Sequence, residues 1–254
     1  MKNKLLTLTT ILFVSLFSNV AYSQVNIESL RDTSKKQGST LQLGASFLGQ
    51  TGNNNIYSGE LKSDYHYRVN NNYIFLKVQT IKGKKDNEYF VDNSFLHARY
   101  TKMFKQYIGL EVFSQIQNDK FKKLKLRQLN GLGARSEVLK GKKDIISVGI
   151  GAMTDFEIVE DADKLDYRAT SYISVAHGFD KENRNQLTLV GYYQPLFSHP
   201  EDYRINAEMN LKSSLIDSLN LSLELTVVYL YDTNPPDDVL TNDFIIKTGF
   251  LIII

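Results

Sequence analysis

Cysteine and tryptophan are absent from the 254 residues, and proline occurs only four times. Without thiols, neither disulfides nor thiolate metal sites can contribute. Beyond the first two dozen residues no run of about eighteen apolar residues occurs, so no transmembrane helix is expected. Helical periodicity is equally scarce. Charge imbalance is missing too: the formal net charge is +2, and no basic cluster is interleaved with stacking aromatics, so nucleic acid is not an expected partner. No Pro/Gly/Ser-rich linker or long charge run divides the chain, and one domain is the simpler reading.

What is present begins with Lys2 and Lys4 ahead of the mostly apolar run Leu5 to Phe17, followed by Ala21-Tyr22-Ser23 before Gln24. A charged n-region, a short h-region and small residues at the cleavage positions make residues 1–23 a cleaved signal peptide. The run is short for an anchor, and no cysteine follows to take a lipid. The expected organisation is a signal peptide over 1–23, a short periplasmic segment over 24–38 and one β-barrel over 39–254.

The rest of the chain alternates. From Tyr57 to Val69 the odd positions Tyr57, Leu61, Tyr65, Tyr67 and Val69 are apolar or aromatic, while Ser58, Glu60, Lys62, Asp64, His66 and Arg68 are polar. Side chains point to opposite faces along a strand, so one face is greasy and the other ionic. Tyr203 to Lys212 repeats the pattern, with Arg204, Glu208 and Lys212 on the polar row, as does Leu219 to Tyr231, with Glu224. Such runs predict about twelve strands, beginning near Thr40, Tyr57, Tyr73, Phe90, Tyr107, Leu124, Ile145, Tyr167, Leu187, Tyr203, Leu219 and Phe244. Most reach the ~9–11 residues a tilted strand needs to cross hydrocarbon, against ~5–6 for the usual strand of a globular protein. The fold expected is all-β: an antiparallel up-and-down transmembrane β-barrel of about twelve strands.

Three further features fit that expectation. Connections of one parity (70–72, 101–106, 140–143, 180–184, 216–218) read shorter on average than the alternate set (83–88, 159–165, 198–201, 232–242), as periplasmic turns and outer loops differ. Aromatic rings favour the headgroup level. Tyr65, Tyr67, Tyr73, Tyr100, Tyr107 and Phe179 are expected at the periplasmic rim, and Tyr57, Tyr193, Tyr203, Tyr229, Tyr231 and Phe244 at the outer one. An open sheet in lipid would leave each unpaired backbone group at a cost of several kcal/mol, so closure is expected, with the apolar Thr248 to Ile254 as closing strand.

Several stretches carry a resemblance: Val25-Asn26-Ile27-Glu28 with Arg31-Asp32, Gly191-Tyr192-Tyr193-Gln194-Pro195 leading into Asp202-Tyr203-Arg204-Ile205, and Pro235-Pro236 followed by Asp243 and Gly249. Together they resemble the YdiY-like family of salt-induced outer-membrane proteins, in the form common in Bacteroidota, over essentially the whole mature chain. The resemblance implies an exported, Gram-negative outer-membrane barrel, porin-like in build and without an assigned activity. It implies no catalytic residues.

The inward rows are where chemistry is expected. Glu60, Lys62, Asp64, His66, Arg68, Glu111, Lys123, Lys125, Arg127, Arg135, Asp155, Arg168, Arg204, Glu208, Lys212, Glu224 and Lys247 are the candidate lumen-lining residues, with Gln115, Glu137 and Glu157 beside them. They suit either a narrow channel selective for ions or small solutes, or a plugged lumen in which opposite charges pair. Both signs occur within single strands, which favours pairing.

Other constellations read blandly. His66, His97, His177 and His199 lack metal-ligand spacing, and no metal or cofactor is expected. A barrel lipase needs a serine beside a histidine, but His177 and Ser171 on one row are roughly 20 Å apart along the strand. Gly131/Gly133 and Gly149/Gly151 lie inside strands and read as relief of crowding. Glu160, Asp161, Asp163, Asp237 and Asp238 read as solvated loop charge rather than calcium ligands. The leading expectation is a non-enzymatic outer-membrane barrel with a narrow-channel or envelope-maintenance role. Its partners would be outer-membrane lipid, lipopolysaccharide and the barrel-insertion machinery. The alternatives are an outer-membrane lipid hydrolase or deacylase, and a soluble periplasmic β-barrel that binds a ligand.

Overall fold

The computed structural model describes residues 37–50, 56–86, 88–105, 107–159, 163–180, 184–236 and 239–254. The expected signal peptide lies outside the described residues, as do Glu160, Asp161, Asp237 and Asp238.

Twelve strands follow one another in sequence: β1 (Gly38–Gln50), β2 (Ile56–Val69), β3 (Asn72–Lys85), β4 (Glu88–Met103), β5 (Ile108–Asp119), β6 (Leu124–Lys140), β7 (Asp144–Val159), β8 (Asp163–Gly178), β9 (Gln186–Pro195), β10 (Tyr203–Ile216), β11 (Leu221–Asp232) and β12 (Asn242–Ile253). Each pairs antiparallel with its neighbours in sequence, and β1 pairs with β12, so the sheet closes as an up-and-down barrel. Strands of 10–17 residues are longer than the ~5–6 typical of globular proteins.

Turn chemistry sets the hairpins. Asn70 takes a positive φ of 52° in the two-residue Asn70-Asn71 turn, which lets β2 reverse into β3 with the twist of both strands preserved. Asp86, Lys123 and Asn220 do the same at other turns, with φ of 49°, 55° and 49°. Asn220 closes a short 3-10 turn (Asp217–Leu219), so β11 begins at Leu221 and Leu219 stands exposed in the turn rather than opening the strand.

The closing seam is the shortest. β1 meets β12 only over Gln42–Ala45 with Phe250–Ile253, extended by reciprocal backbone bonds between Leu41 and Ile254 of 2.9 and 2.7 Å. By contrast β1 and β2 pair over the full length from Gly38 to Gln50.

Sorting of connections by length is weaker than the sequence suggests. At the end where β1 starts and β12 finishes (the near end) the strands are separated by 2, 4, 3, 7 and 4 residues. At the far end the gaps are 5, 2, 4, 3, 7 and 9. The longest are 233–241 and 196–202 at the far end and 179–185 at the near end. The strands run further into the sheet than their polarity implies, which shortens the other loops.

Alternation of burial is strict in most strands. On β3, Tyr73, Phe75, Lys77, Gln79 and Ile81 are buried in the lumen, while Ile74, Leu76 and Val78 are exposed on the outer wall. Tyr73 is therefore not a rim aromatic as expected; it turns inward, 4% exposed, beside His66. The other expected rim residues do face out or stand half-buried at strand ends, and Tyr193, Tyr203 and Tyr231 form a row across β9, β10 and β11 with ring centroids 5.4 and 5.9 Å apart.

Candidate functional site

The lumen is the only place where polar side chains converge in number among the described residues, and they are arranged in layers. At the far end, Asp155 on β7 is enclosed by three arginines. Arg127 on β6 donates to both carboxylate oxygens at 2.8 and 2.7 Å, Arg204 on β10 approaches at 2.6 Å and the Arg168 Nε on β8 at 3.3 Å. Glu157, one inward position further along β7, takes Arg127 and Arg204 at 3.1 and 3.0 Å. Arg204 also reaches Asp232 on β11 at 2.7 Å, and Arg168 reaches Asp202 at 2.9 Å. Arg127, Asp155 and Arg168 are each 1% exposed. A charge taken this far from water is tolerable only when paired and hydrogen-bonded.

A second network occupies the wall around the seam. Lys62 on β2 bonds Glu224 on β11, passing over β1 and β12. Lys247 on β12 reaches Glu60 at 3.1 Å, Gln79 donates to Glu60 at 2.7 Å, and Lys77 donates to Asp64 at 3.1 Å. Asn210 donates to Glu224 at 2.7 Å. A third network joins β4, β5, β6, β7 and β8. Glu111 accepts from Arg99 at 3.1 Å, Thr101 at 3.0 Å and the Tyr172 hydroxyl at 2.9 Å, and Arg135 donates to Tyr172 and to Ser147.

Apolar layers complete the filling. Ile81 and Val91 on β3 and β4 meet Val228, Leu230 and Ile245 on β11 and β12, so this cluster bridges across the lumen at the far end. Lys122, in the 3-10 turn (Lys120–Lys122) between β5 and β6, donates to Asp243 on β12 at 2.7 Å, tying opposite sides of the same mouth. Nearer the other end Tyr73, Phe75 and Phe95 cluster around the histidines. His66 bonds the Tyr73 hydroxyl at 2.7 Å, and His97 stacks between Phe95 and Phe113 while its Nδ1 lies 3.2 Å from Gln115 Oε1. One interior cavity of about 50 Å³, lined by His97, Arg99, Glu111, Gln115, Tyr172 and Tyr192, holds room for only a few waters.

The candidate residues are thus placed as follows. Glu60, Lys62, Asp64, His66, Arg68, Glu111, Arg127, Arg135, Asp155, Arg168, Arg204, Glu208, Lys212, Glu224 and Lys247 lie on the rows that alternate inward. Lys123 and Lys125 do not join them. Lys123 is half-buried in the turn with positive φ, and Lys125 is exposed at a bulge where the register shifts between Leu124 and Leu126. The bulge inserts one residue and so exchanges the faces ahead of it. Lys77, Arg99, Lys122, Tyr172, Asp232 and Asp243 are not among the lumen-lining residues that the sequence predicts. Lys77 and Gln79 were recoverable in principle from their parity with Tyr73, but an aromatic residue leading the row disguises it as the outer face.

Among the described residues no group of three His, Asp or Glu could hold a metal ion. His177 faces outward at the near end and pairs with Asp144 at 2.7 Å. Ser171 on the same strand hydrogen-bonds the backbone oxygen of Tyr193 instead. The Gly149 and Gly131 positions are occupied from the lumen side: an added Cβ would lie 2.1 Å from the Tyr172 ring and 2.3 Å from the Phe113 ring, respectively.

A family model described as "Protein of unknown function, DUF481" matches residues 42–252, from β1 to the end of β12. None of the curated proteins matches the chain. Among solved structures it is similar to the NanC porin, at 8% identity over 85% of this chain and 98% of that one, with a TM-score of 0.47. It is also similar to the KdgM porin, at 13% identity over 85% and 96%, with a TM-score of 0.43. The translocator domain of the autotransporter NalP from Neisseria meningitidis is a third, at 7% identity over 87% and 88%, with a TM-score of 0.44.

Proposed function

From its membership of the DUF481 family, described only as proteins of unknown function, and from its own geometry, we propose that this chain is an outer-membrane barrel with a plugged lumen, serving the envelope as a structural, non-enzymatic element. The observation that carries the reading is the inversion of polarity: charge fills the interior, and grease covers the outside. Leu61, Leu132 and Ile150 are 63%, 66% and 69% exposed on the outer wall, in company with Ile74, Leu76, Val78, Ile108, Leu110, Val112, Phe244, Ile246 and Phe250. A wall of that kind far exceeds the few hundred Å² of contiguous apolar surface a monomer keeps in water. Lipid is the environment in which it is stable, and the closed ladder is what lipid demands of a sheet. The far end then faces outward and the near end the periplasm.

Plugging is supported by the ion pairs and the apolar cluster that reach from wall to wall. Porin-like conduction of ions or small solutes would need those contacts broken together. Reconstituted in planar bilayers beside a conducting control porin, the full-length protein is expected to stay silent. Discrete conductance steps would replace the plug with a channel. Retention of the protein in carbonate-washed outer membranes checks the location, and release into the wash would favour the soluble barrel.

A further inference from the structure

We propose that the far rim of β3 to β6, with the outer wall below it, is a binding site for a phosphorylated acyl lipid of the outer leaflet. The inference rests on the membrane reading above and goes on to name the occupant and its contacts.

The far rim of β3 to β6 is rich in lysine. Lys82, Lys84, Lys85, Lys120 and Lys125 stand exposed around β3, β4 and the β5–β6 turn. Asp86 and Glu88 stand exposed among these lysines, and across the barrel the rim carries Asp163, Glu201, Asp202 and Asp232 beside Lys164. Within the basic sector two ammonium groups converge on a single ring. Lys84 and Tyr89 are cross-strand partners on the outward face, and the Lys84 Nζ lies 4.5 Å from the ring centroid. The Lys120 Nζ comes to the same ring from the next hairpin at 5.9 Å. Neither lysine has an acidic partner among the described residues, whereas Lys82 lies 4.0 Å from Asp92. Two like charges held near one ring repel, and an anion beside both relieves that repulsion. Tyrosine marks headgroup depth, where phosphate is found.

Beneath this sector the outer wall is dished. A groove of about 880 Å³ runs along the exterior of β3 to β8. Its floor is the row Ala98, Ser114, Asn130 and Thr154, paired across adjacent strands beside Leu76, where smaller side chains take the place of Leu and Ile. Ser114 donates to the Asn130 Oδ1 at 2.9 Å, which leaves the amide N–H groups of Asn130 to whatever fills the groove. From Ser114 on β5 to Lys120 in the turn that follows it is six residues, at most ~20 Å of strand, or ~14 Å of depth at a tilt of ~45°. One leaflet of hydrocarbon is ~15 Å deep. A lipid with its phosphate at Lys84 and Lys120 therefore reaches the groove floor with its acyl chain.

The test uses full-length protein in detergent micelles, probed by native mass spectrometry with bisphosphorylated hexa-acyl lipid A and with the same lipid after removal of both phosphates. Wild type is expected to retain the phosphorylated form preferentially. Lys84→Gln with Lys120→Gln should weaken it roughly thirtyfold without altering retention of the dephosphorylated form. Ala98→Leu, which fills the groove without touching the lysines, should weaken both forms. Equal retention of the two lipids, or undiminished binding by the double lysine variant, overturns the site. A protein that keeps its place in carbonate-washed membranes but shows no preference sinks this inference alone, whereas release from those membranes sinks the premise under it.

Discussion

The Lys122 Nζ lies 2.7 Å from the Asp243 Oδ2, joining the β5–β6 turn to β12 across the far mouth of the barrel. The cluster of Ile81, Val91, Val228, Leu230 and Ile245 spans the same end, so ionic and apolar contacts close it together. Lys122→Ala alone should leave the protein silent in planar bilayers, because the apolar contacts remain. Leu230→Ala and Ile245→Ala added to it should produce discrete conductance steps. Silence of the triple variant, with its β-sheet intact by circular dichroism, would move the plug to the deeper ion pairs.

Asp155 anchors three arginines, so its removal strands positive charge in a closed interior. Asp155→Asn should cost about 3–5 kcal/mol, the usual penalty for leaving a buried ion without its partner. Urea titration of the refolded barrel reads the loss directly. A shift near zero would mean that water or Glu157 compensates for the missing carboxylate.

Two glycines make opposite expectations from the same change. At Gly149 an added methyl meets the Tyr172 ring at 2.1 Å, and that ring's hydroxyl serves Glu111 and Arg135. Gly149→Ala should destabilise the barrel by about 1–3 kcal/mol through overpacking. Gly191, on the outer wall of β9 with nothing within 4 Å of an added Cβ, should accept alanine without loss. Unfolding curves of the pair compare them under identical conditions.

A lysine on the outer wall distinguishes lipid from water. Ile150→Lys, at a position 69% exposed, should cost about 2–4 kcal/mol in a bilayer if the residue sits near midplane. In a soluble barrel the same change would be neutral or would improve solubility. Folding equilibria in lipid vesicles provide the measurement.

The lipid-hydrolase reading makes its own demand. His177 is paired with Asp144, but the serine on its row bonds a backbone oxygen of the neighbouring strand. Ser171→Ala and His177→Ala are expected to leave phospholipid and lipid A profiles unchanged. Loss of turnover in either variant would reopen that chemistry.

Much of this was legible in the sequence because alternation with a period of two is a local property. Where one row is ionic and the other apolar, as in Glu60 to Arg68 on β2 or Arg204 to Lys212 on β10, the chain itself states which face avoids lipid. The number of strands, their starts to within a few residues and the sharp Asn70-Asn71 turn follow from the same local rules. Tertiary structure decided the rest where both rows are apolar. Tyr73-Ile74-Phe75-Leu76 and Ile245-Ile246 carry no periodic signal, and only closure of the sheet assigned Tyr73, Phe75 and Ile245 to the lumen. Pairings such as Lys62 with Glu224, Arg204 with Asp155 and Lys122 with Asp243 are equally beyond the sequence, since they join residues brought together by curvature and not by strand order. Local pattern sets the two faces of each strand; the circumference of the closed barrel selects which inward side chains meet.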